Sequence, residues 1–177
     1  LQLYHFTRES YDFLFHHDTI KTVIKMKTQE DMQLFWAQAK ALIESETDFT
    51  ANLANISALI KEFYGDACSW AGFYLLKENE LVLGPFQGKV ACTRIPIGKG
   101  VCGTAVKTRQ TQIVKNVHEF PGHIACDGGS NSEIVVNITK NNQCYGVIDL
   151  DSYQFETFGT QDALILETLA EIISELF

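Results

Sequence analysis

The period of the hydrophobic pattern changes near residue 69, and this change restricts the possible folds more than any other feature. Before it, apolar residues recur at the three- and four-residue spacing of amphipathic helices. After it, they occur in short runs separated by glycines and polar turns, as in strands. The helical spacing returns from about Thr160. The sequence therefore predicts an α+β domain, with a mainly antiparallel sheet and its N- and C-terminal helices packed on one face.

Two predicted helices precede the sheet and one follows it. Thr28 and Asp48 are suitable N-caps for the first two helices, and Gly65 ends the second. Asp162 is expected on an exposed face of the last helix. The apolar stripes of all three helices are expected to be core: Met32, Phe35, Trp36, Ala39, Leu42 and Ile43; Phe49, Leu53, Ile56, Ile60 and Phe63; and Leu164, Ile165, Leu169, Ile172, Ile173 and Leu176.

Five strands and one short helix are predicted between these helices. The first two strands flank a charged turn and form a hairpin. The short helix follows a glycine turn, so its second residue, Cys102, should lie near the positive helix terminus. The strands are Trp70–Leu76, Glu80–Phe86, Thr111–Val114, Glu133–Ile138 and Tyr145–Leu150, and the helix is Val101–Thr108.

Length and charge restrict the class of protein. A chain of 177 residues without a long low-complexity segment is expected to form one domain. We place this domain at residues 26–177, because the helix signals begin after Met26, and we leave open the role of residues 1–25 as an N-terminal extension. The net charge of −8 argues against nucleic-acid and anionic membrane surfaces. No apolar run approaches the ~20 residues of a membrane span.

The cysteines indicate the compartment. There are five, an odd number, and no two of them form a Cys-x-x-Cys pair. The cysteines are therefore not expected to form the disulfide framework of a secreted protein. We expect the protein to function in the reducing cytoplasm. Cys92, Cys102 and Cys126 fall in glycine-bearing segments between strands, whereas Cys68 and Cys144 are expected to be bystanders.

One glycine-rich loop carries a candidate site. Cys126 precedes Gly128 and Gly129, which permit a ligand to approach the backbone closely, and Glu133 opens the next strand. A thiol beside a carboxylate in such a loop is typical of a reactive site. The alternative is that Cys126 is a small buried hydrophobic residue, as many free cysteines are.

Two further carboxylates are expected to join Glu133. Asp149 and Asp151 alternate along one strand, so their side chains point to the same face. If Glu133 lies on the neighbouring strand, the three acids meet, and their mutual repulsion raises at least one pKa and keeps a proton available. The alternative is that the aspartates lie at an exposed strand end.

The histidines and loop cysteines raise the alternative of a metal site. Zinc takes four nitrogen or sulfur ligands, which His118 and His123 could supply together with the three loop cysteines. The spacings contain no compact ligand pair, and we do not predict a metal.

Six segments of this sequence occur in an order that closely resembles a known family. They read WAGFY, LVLGPFQGKVAC, GKGVCGTAV, PGHIACD, SEIV and GVIDLDS. The resemblance is to the free methionine-R-sulfoxide reductases, which are built on a GAF domain, and it extends from about residue 26 to residue 177. It implies a GAF-like fold and the thiol-dependent reduction of free methionine-R-sulfoxide.

The resemblance also implies roles for eight residues. Cys126 would be the nucleophile, Cys92 the principal resolving cysteine and Cys102 an auxiliary thiol. The other five would bind substrate: Glu133, Asp149 and Asp151 through its polar groups, and Trp70 and Tyr74 as a wall against its methyl end.

A reaction cycle follows from these roles. Cys126 would become a sulfenic acid, Cys92 would convert it to a disulfide, and thioredoxin would reduce that disulfide without any bound cofactor. The oligomeric state, a homodimer included, is left open. The alternative is a small-molecule-binding or redox-sensing GAF module without turnover, since the fold does not fix the function.

Overall fold

A six-stranded antiparallel sheet lies at the centre of the computed structural model, which describes residues 27–124 and 128–177. The N-terminal extension and Cys126 lie outside the described residues. The elements in chain order are α1 (Gln29–Ser45), α2 (Phe49–Tyr64), β1 (Trp70–Lys77), β2 (Glu80–Gln87), β3 (Arg94–Pro96), α3 (Gly100–Thr108), β4 (Gln112–Val114), β5 (Ser132–Lys140), β6 (Gln143–Ser152) and α4 (Thr160–Ser174).

The strand order is β3-β2-β1-β6-β5-β4, and every neighbouring pair is antiparallel. The five predicted strands are confirmed within a few residues at their ends, although Thr111 precedes β4. The sixth strand, β3, was not predicted. Its three residues are too few to show an alternating pattern, and they form a strand only because β2 offers its free edge.

Helices α1, α2 and α4 cover one face of the sheet, here called the helix face, which confirms the predicted arrangement of the terminal helices. Its strand residues are apolar and fully or almost fully buried. They are Ala71 and Phe73 of β1, Ile134, Val136 and Ile138 of β5, and Ile148 and Leu150 of β6.

Helix α3 lies against the opposite side, here called the pocket face. Residues of this face alternate along the same strands with those of the helix face, because successive side chains of a strand point in opposite directions. The pocket face includes Trp70 and Tyr74 of β1, Val135 of β5 and Val147 of β6, which form a second core cluster with residues of α3.

The predicted helix caps are present. The Thr28 side chain accepts a hydrogen bond from the Asp31 amide, and the Asp48 side chain accepts one from the Ala51 amide. A glycine is needed at residue 65, where α2 ends with φ of +56°.

Two expectations for α4 were wrong. Leu164 is 54% exposed, because Leu166 takes its place in the stripe that faces the sheet. Asp162 is only partly exposed, and its carboxylate accepts a hydrogen bond from the Gly159 amide at 2.8 Å, so it caps the helix. Within the described ranges, no helix is long and apolar enough to span a membrane.

Candidate active site

The strand register brings the three predicted carboxylates together. Glu133 of β5 pairs with Asp151 of β6, and Asp151 pairs with Trp70 of β1 on its other side. Asp149 lies two residues along β6, on the same face. The conditional prediction that Glu133 lies on the strand beside the aspartates is therefore confirmed.

These side chains line one pocket between the pocket face, the start of α3 and the segments around residues 90 and 123. Six of the eight predicted site residues line it, and a seventh, Cys92, lies beside it. Its lining consists of Trp70, Tyr74, Val90, Ala91, Ile95, Gly100, Val101, Cys102, His123, Ile124, Ser130, Glu133, Asp149 and Asp151. Cys92 follows Ala91 and packs against the same apolar cluster.

Cys102 lies at the buried end of this pocket, in the first turn of α3. Its sulfur donates a hydrogen bond to Asp149 Oδ2 at 3.2 Å and lies 4.0 Å from Glu133 Oε1. Burial raises the pKa of the Cys102 thiol well above its usual value, and the charges of Asp149 and Glu133 raise it further. These effects outweigh the lowering of the pKa that the positive end of the helix would cause, so Cys102 is a protonated thiol at neutral pH.

The two buried acids differ in how strongly they hold a proton. Burial raises the pKa of Glu133 well above its usual value, and the charges of Asp149 and Asp151 add to this effect. Burial also raises the pKa of Asp149, to about 6, although hydrogen bonds from Cys102 and Glu133 partly oppose the rise. Glu133 is therefore the carboxyl group that keeps its proton at neutral pH.

Trp70 and Tyr74 of β1 form an aromatic wall beside the acids of β5 and β6. Their rings are 6.0 Å apart and nearly parallel, and Phe86 stacks on Trp70 from behind at 5.2 Å. The Trp70 indole N–H donates to the Lys89 carbonyl at 3.1 Å, and the Tyr74 hydroxyl donates to the Cys92 carbonyl at 2.9 Å. The wall therefore also holds the segment that carries Cys92.

Residue 88 must be a glycine for this wall to form. Its φ is +138°, and a Cβ there would lie 2.5 Å from Trp70 Cδ1. Any side chain at this position would displace the indole ring.

Two pocket residues were not assigned to the site from the sequence. His123 Nε2 lies 3.7 Å from Glu133 Oε2, and burial lowers the pKa of His123. Ser130 is 4% exposed, and its hydroxyl has no hydrogen-bond partner among the described residues. His123 stands in the PGHIACD segment and was considered only as a metal ligand, whereas no sequence signal distinguished Ser130 from its polar neighbours.

Among the described residues, one other histidine and two other cysteines lie outside the pocket lining. His118 Nε2 contacts Asn131 Oδ1 at 2.9 Å. Cys68 is buried with the helix-face core, and burial raises its pKa to about 12. Cys144 is half-buried in β6, where its thiol donates to the Gly146 carbonyl at 3.4 Å. Neither thiol lines the pocket, which agrees with their expected role as bystanders.

Comparison with known proteins places this geometry in a family. The GAF domain family matches residues 46–177. The chain is 53% identical over 136 residues to the free methionine-R-sulfoxide reductase of Escherichia coli, covering 77% of this chain and 80% of that protein. It is 44% identical over 169 residues to the enzyme of that name from Saccharomyces cerevisiae, covering 91% and 94%.

A solved structure agrees with these relatives. The X-ray structure of free methionine-R-sulfoxide reductase from Neisseria meningitidis in complex with its substrate is 43% identical and superposes with a TM-score of 0.79, covering 87% of this chain and 94% of that one. The chain described here therefore belongs to the free methionine-R-sulfoxide reductases, an oxidoreductase family built on the GAF domain.

Proposed function

We propose that this chain reduces free methionine-R-sulfoxide to methionine, with Cys126 as the nucleophile. The observation that carries the proposal is a pocket lined both by three carboxyl groups, on β5 and β6, and by an aromatic wall on the neighbouring β1. The acids suit the ammonium and the sulfoxide oxygen of the substrate, and the wall suits its methyl group. The name shared by the bacterial and yeast relatives supports the same reaction.

The first chemical step transfers the sulfoxide oxygen to Cys126. The Cys126 thiolate attacks the substrate sulfur, and the sulfoxide oxygen takes up a proton. The resulting hydroxyl group moves to the Cys126 sulfur while the S–O bond of the substrate and the transient bond between the two sulfurs break, so methionine leaves and Cys126 becomes a sulfenic acid. The substrate sulfur is reduced and the cysteine sulfur is oxidised. Glu133 is the proposed proton donor to the oxygen, because burial and the two neighbouring acids keep it protonated.

The second step restores the cysteine. Cys92 attacks the sulfenic acid, releases water and forms a disulfide with Cys126, and thioredoxin then reduces this disulfide by exchange. The Tyr74 hydroxyl bond to the Cys92 carbonyl supports this role, since it fixes the backbone that carries the resolving thiol beside the pocket. Such a cycle requires a compartment in which thioredoxin is kept reduced, and the cytoplasm provides it.

The carboxyl groups of the pocket give a reason for the proposed preference for free methionine sulfoxide over the same residue in a polypeptide. Asp149 and Asp151 are proposed to hold the substrate ammonium, and a methionine sulfoxide residue within a polypeptide has no such group. Asp149 is 5% exposed, so losing its cationic partner leaves a buried charge unpaired. Truncating one partner of a buried charge pair costs roughly 2–5 kcal/mol. The S epimer should also be rejected, because its oxygen would point away from the acids.

A thioredoxin-coupled NADPH assay tests this proposal. We expect sustained turnover of free methionine-R-sulfoxide and very low kcat/KM for the S epimer and for the N-acetylated R epimer. Equal values for the free and acetylated R forms would contradict the role of the acids. Tight binding of the sulfoxide without NADPH consumption would identify a sensor module instead.

Single-turnover kinetics test the two cysteine roles. Cys126→Ser should release no methionine, since a serine hydroxyl at neutral pH is a weak nucleophile. Cys92→Ser should release about one methionine per site and then stall under thioredoxin, because the sulfenic acid lacks its partner. Cys144→Ser, which removes a thiol outside the pocket, is the matched control and should turn over normally. Sustained turnover by Cys126→Ser would overturn the assignment.

A further inference from the structure

A thiol and two carboxylates converge at the buried end of the pocket. Cys102, Glu133 and Asp149 each offer one atom, and these atoms lie within 4.8 Å of one another. The Cys102 sulfur is 3.2 Å from an Asp149 oxygen and 4.0 Å from a Glu133 oxygen. In a tetrahedral zinc site, sulfur and oxygen ligands at their usual bond lengths lie about 3.5 Å apart. The two observed distances fall on either side of this value.

Two unsatisfied polar atoms at the same place also point to a ligand. Asp149 Oδ1 and Ser130 Oγ are buried, and neither has a hydrogen-bond partner within residues 27–124 and 128–177. The two residues are 5% and 4% exposed, and both line the pocket. A buried polar atom without a partner is unfavourable, and a bound cation would offset this cost at the carboxylate.

The composition of the donor set selects the kind of cation. A thiolate with carboxylates favours zinc or cadmium over magnesium or calcium, which prefer oxygen ligands alone. A fourth ligand is available beside these three, because His123 Nε2 lies 3.7 Å from Glu133 Oε2. Imidazole nitrogen is a common zinc ligand.

We propose that this chain binds a thiophilic divalent cation, with zinc as the reference ion, through Cys102 Sγ, Glu133 and Asp149, and with His123 as the fourth ligand. The bonds from the Cys102 sulfur and the Glu133 oxygen to the cation replace the S–H and O–H bonds, and both protons leave to solvent. No electron is transferred, and the cation is removed again by a chelator. This ligand set differs from the His118-containing set weighed from the sequence.

Two of these ligands are also proposed to contact the substrate, Asp149 at its ammonium and Glu133 at its sulfoxide oxygen, so the cation should compete with free methionine sulfoxide. This consequence rests on the proposed function, whereas binding of the metal does not. A zinc-loaded protein should therefore be a reversibly inhibited enzyme, which recovers when the metal is removed.

The test uses the full chain, reduced with a phosphine because dithiol reductants bind zinc. Isothermal titration with zinc should give one site per chain. In Cys102→Ser the Kd should rise at least about a hundredfold, since even residues that only support a ligand change metal affinity by about 10–100-fold. Cys144→Ser and Cys68→Ser are the controls and should keep the wild-type Kd.

Cobalt serves as the spectroscopic probe. Wild type and both controls should show a thiolate-to-cobalt charge-transfer band, and Cys102→Ser should lose it. Retention of the band in Cys102→Ser together with its loss in Cys92→Ser or Cys126→Ser would overturn the proposal and assign metal binding to the other thiols. If Cys102→Ser does not fold, cadmium NMR of the wild type decides: one thiolate with oxygen and nitrogen ligands supports the site, and two thiolates or none contradict it.

A competition titration separates this proposal from the proposed function. Free methionine-R-sulfoxide should weaken zinc binding in proportion to its concentration. Zinc binding that the sulfoxide leaves unchanged would preserve the metal site and contradict the substrate position. Absence of zinc binding in a protein that reduces the sulfoxide would overturn the metal site alone.

Discussion

The two faces of strands β5 and β6 share one backbone but carry different kinds of side chain, apolar on one face and ionisable on the other. On the helix face, Ile134, Val136 and Ile148 are buried without a polar atom. On the pocket face, one residue away along the same strands, Glu133 and Asp149 are equally buried and lie beside the Cys102 thiol. The difference teaches that in this fold one side of the sheet stabilises the domain, while the other keeps ionisable groups out of water at an energetic cost.

The largest expected effect is on the pocket face. Glu133→Gln should lower kcat/KM by about 10²–10⁴-fold, because it removes the proposed proton donor while preserving the shape of the side chain. Stability at neutral pH should not fall, since a buried carboxyl with a raised pKa is replaced by a neutral amide. Steady-state kinetics and denaturant unfolding measure both quantities.

The matched control for this change is Glu44→Gln, at an exposed acid of α1. It should alter neither activity nor stability. If Glu133→Gln behaves like Glu44→Gln, the acids of the pocket face are not the substrate site.

A substitution on the helix face of the same strand should have the opposite outcome. Ile138 is fully buried beneath the helices, and Ile138→Ala should destabilise the protein by about 2–5 kcal/mol through lost burial and a residual cavity. The kcat/KM per folded molecule should stay unchanged. A large loss of activity in the folded fraction would show that the two faces are not independent.

The pocket face should also make stability depend on pH. The pKa of Asp149 is raised from 3.8 to about 6, so between these values the folded state holds a proton that the unfolded state releases. Stability therefore falls as the pH rises through this window, by up to about 3 kcal/mol. Asp149→Asn should lack this part of the fall in unfolding curves recorded across the window.

Asp66→Asn, at an exposed acid after α2, is the control and should retain the wild-type pH profile. The difference between the wild-type and Asp149→Asn stability profiles isolates the contribution of Asp149. If this difference rises between about pH 4 and pH 6, it has the wrong sign for a carboxyl with a raised pKa, and the prediction is wrong.

The smallest expected effect concerns one hydroxyl group. Tyr74→Phe removes the hydrogen bond to the Cys92 carbonyl and should cost about 0.5–1.5 kcal/mol of stability. Tyr145→Phe is the control, because it keeps the ring contact with Phe177 on the other side of the sheet and should change less. Equal effects in the two variants would mean that the Tyr74 hydroxyl does not hold the Cys92 segment.

Much of the fold and part of the candidate site could be predicted from local pattern. The helices, five of the strands and their caps follow from periodicity and from residues such as Thr28 and Asp48, whose effects extend over one turn of chain. The shared face of Asp149 and Asp151 likewise follows from the alternation of a single strand.

The remaining features depend on contacts between segments distant in the chain. The sequence by itself determined which carboxyl, thiol and aromatic side chains are available for a site, and which of them share a face of their strand. Only the tertiary structure decided that Glu133 pairs with Asp151, that Cys102 lies 3.2 Å from Asp149, and that His123 and Ser130 join the pocket. The physical reason is that strand register and burial arise from pairing across the whole sheet, and burial then sets the pKa values on which the chemistry depends.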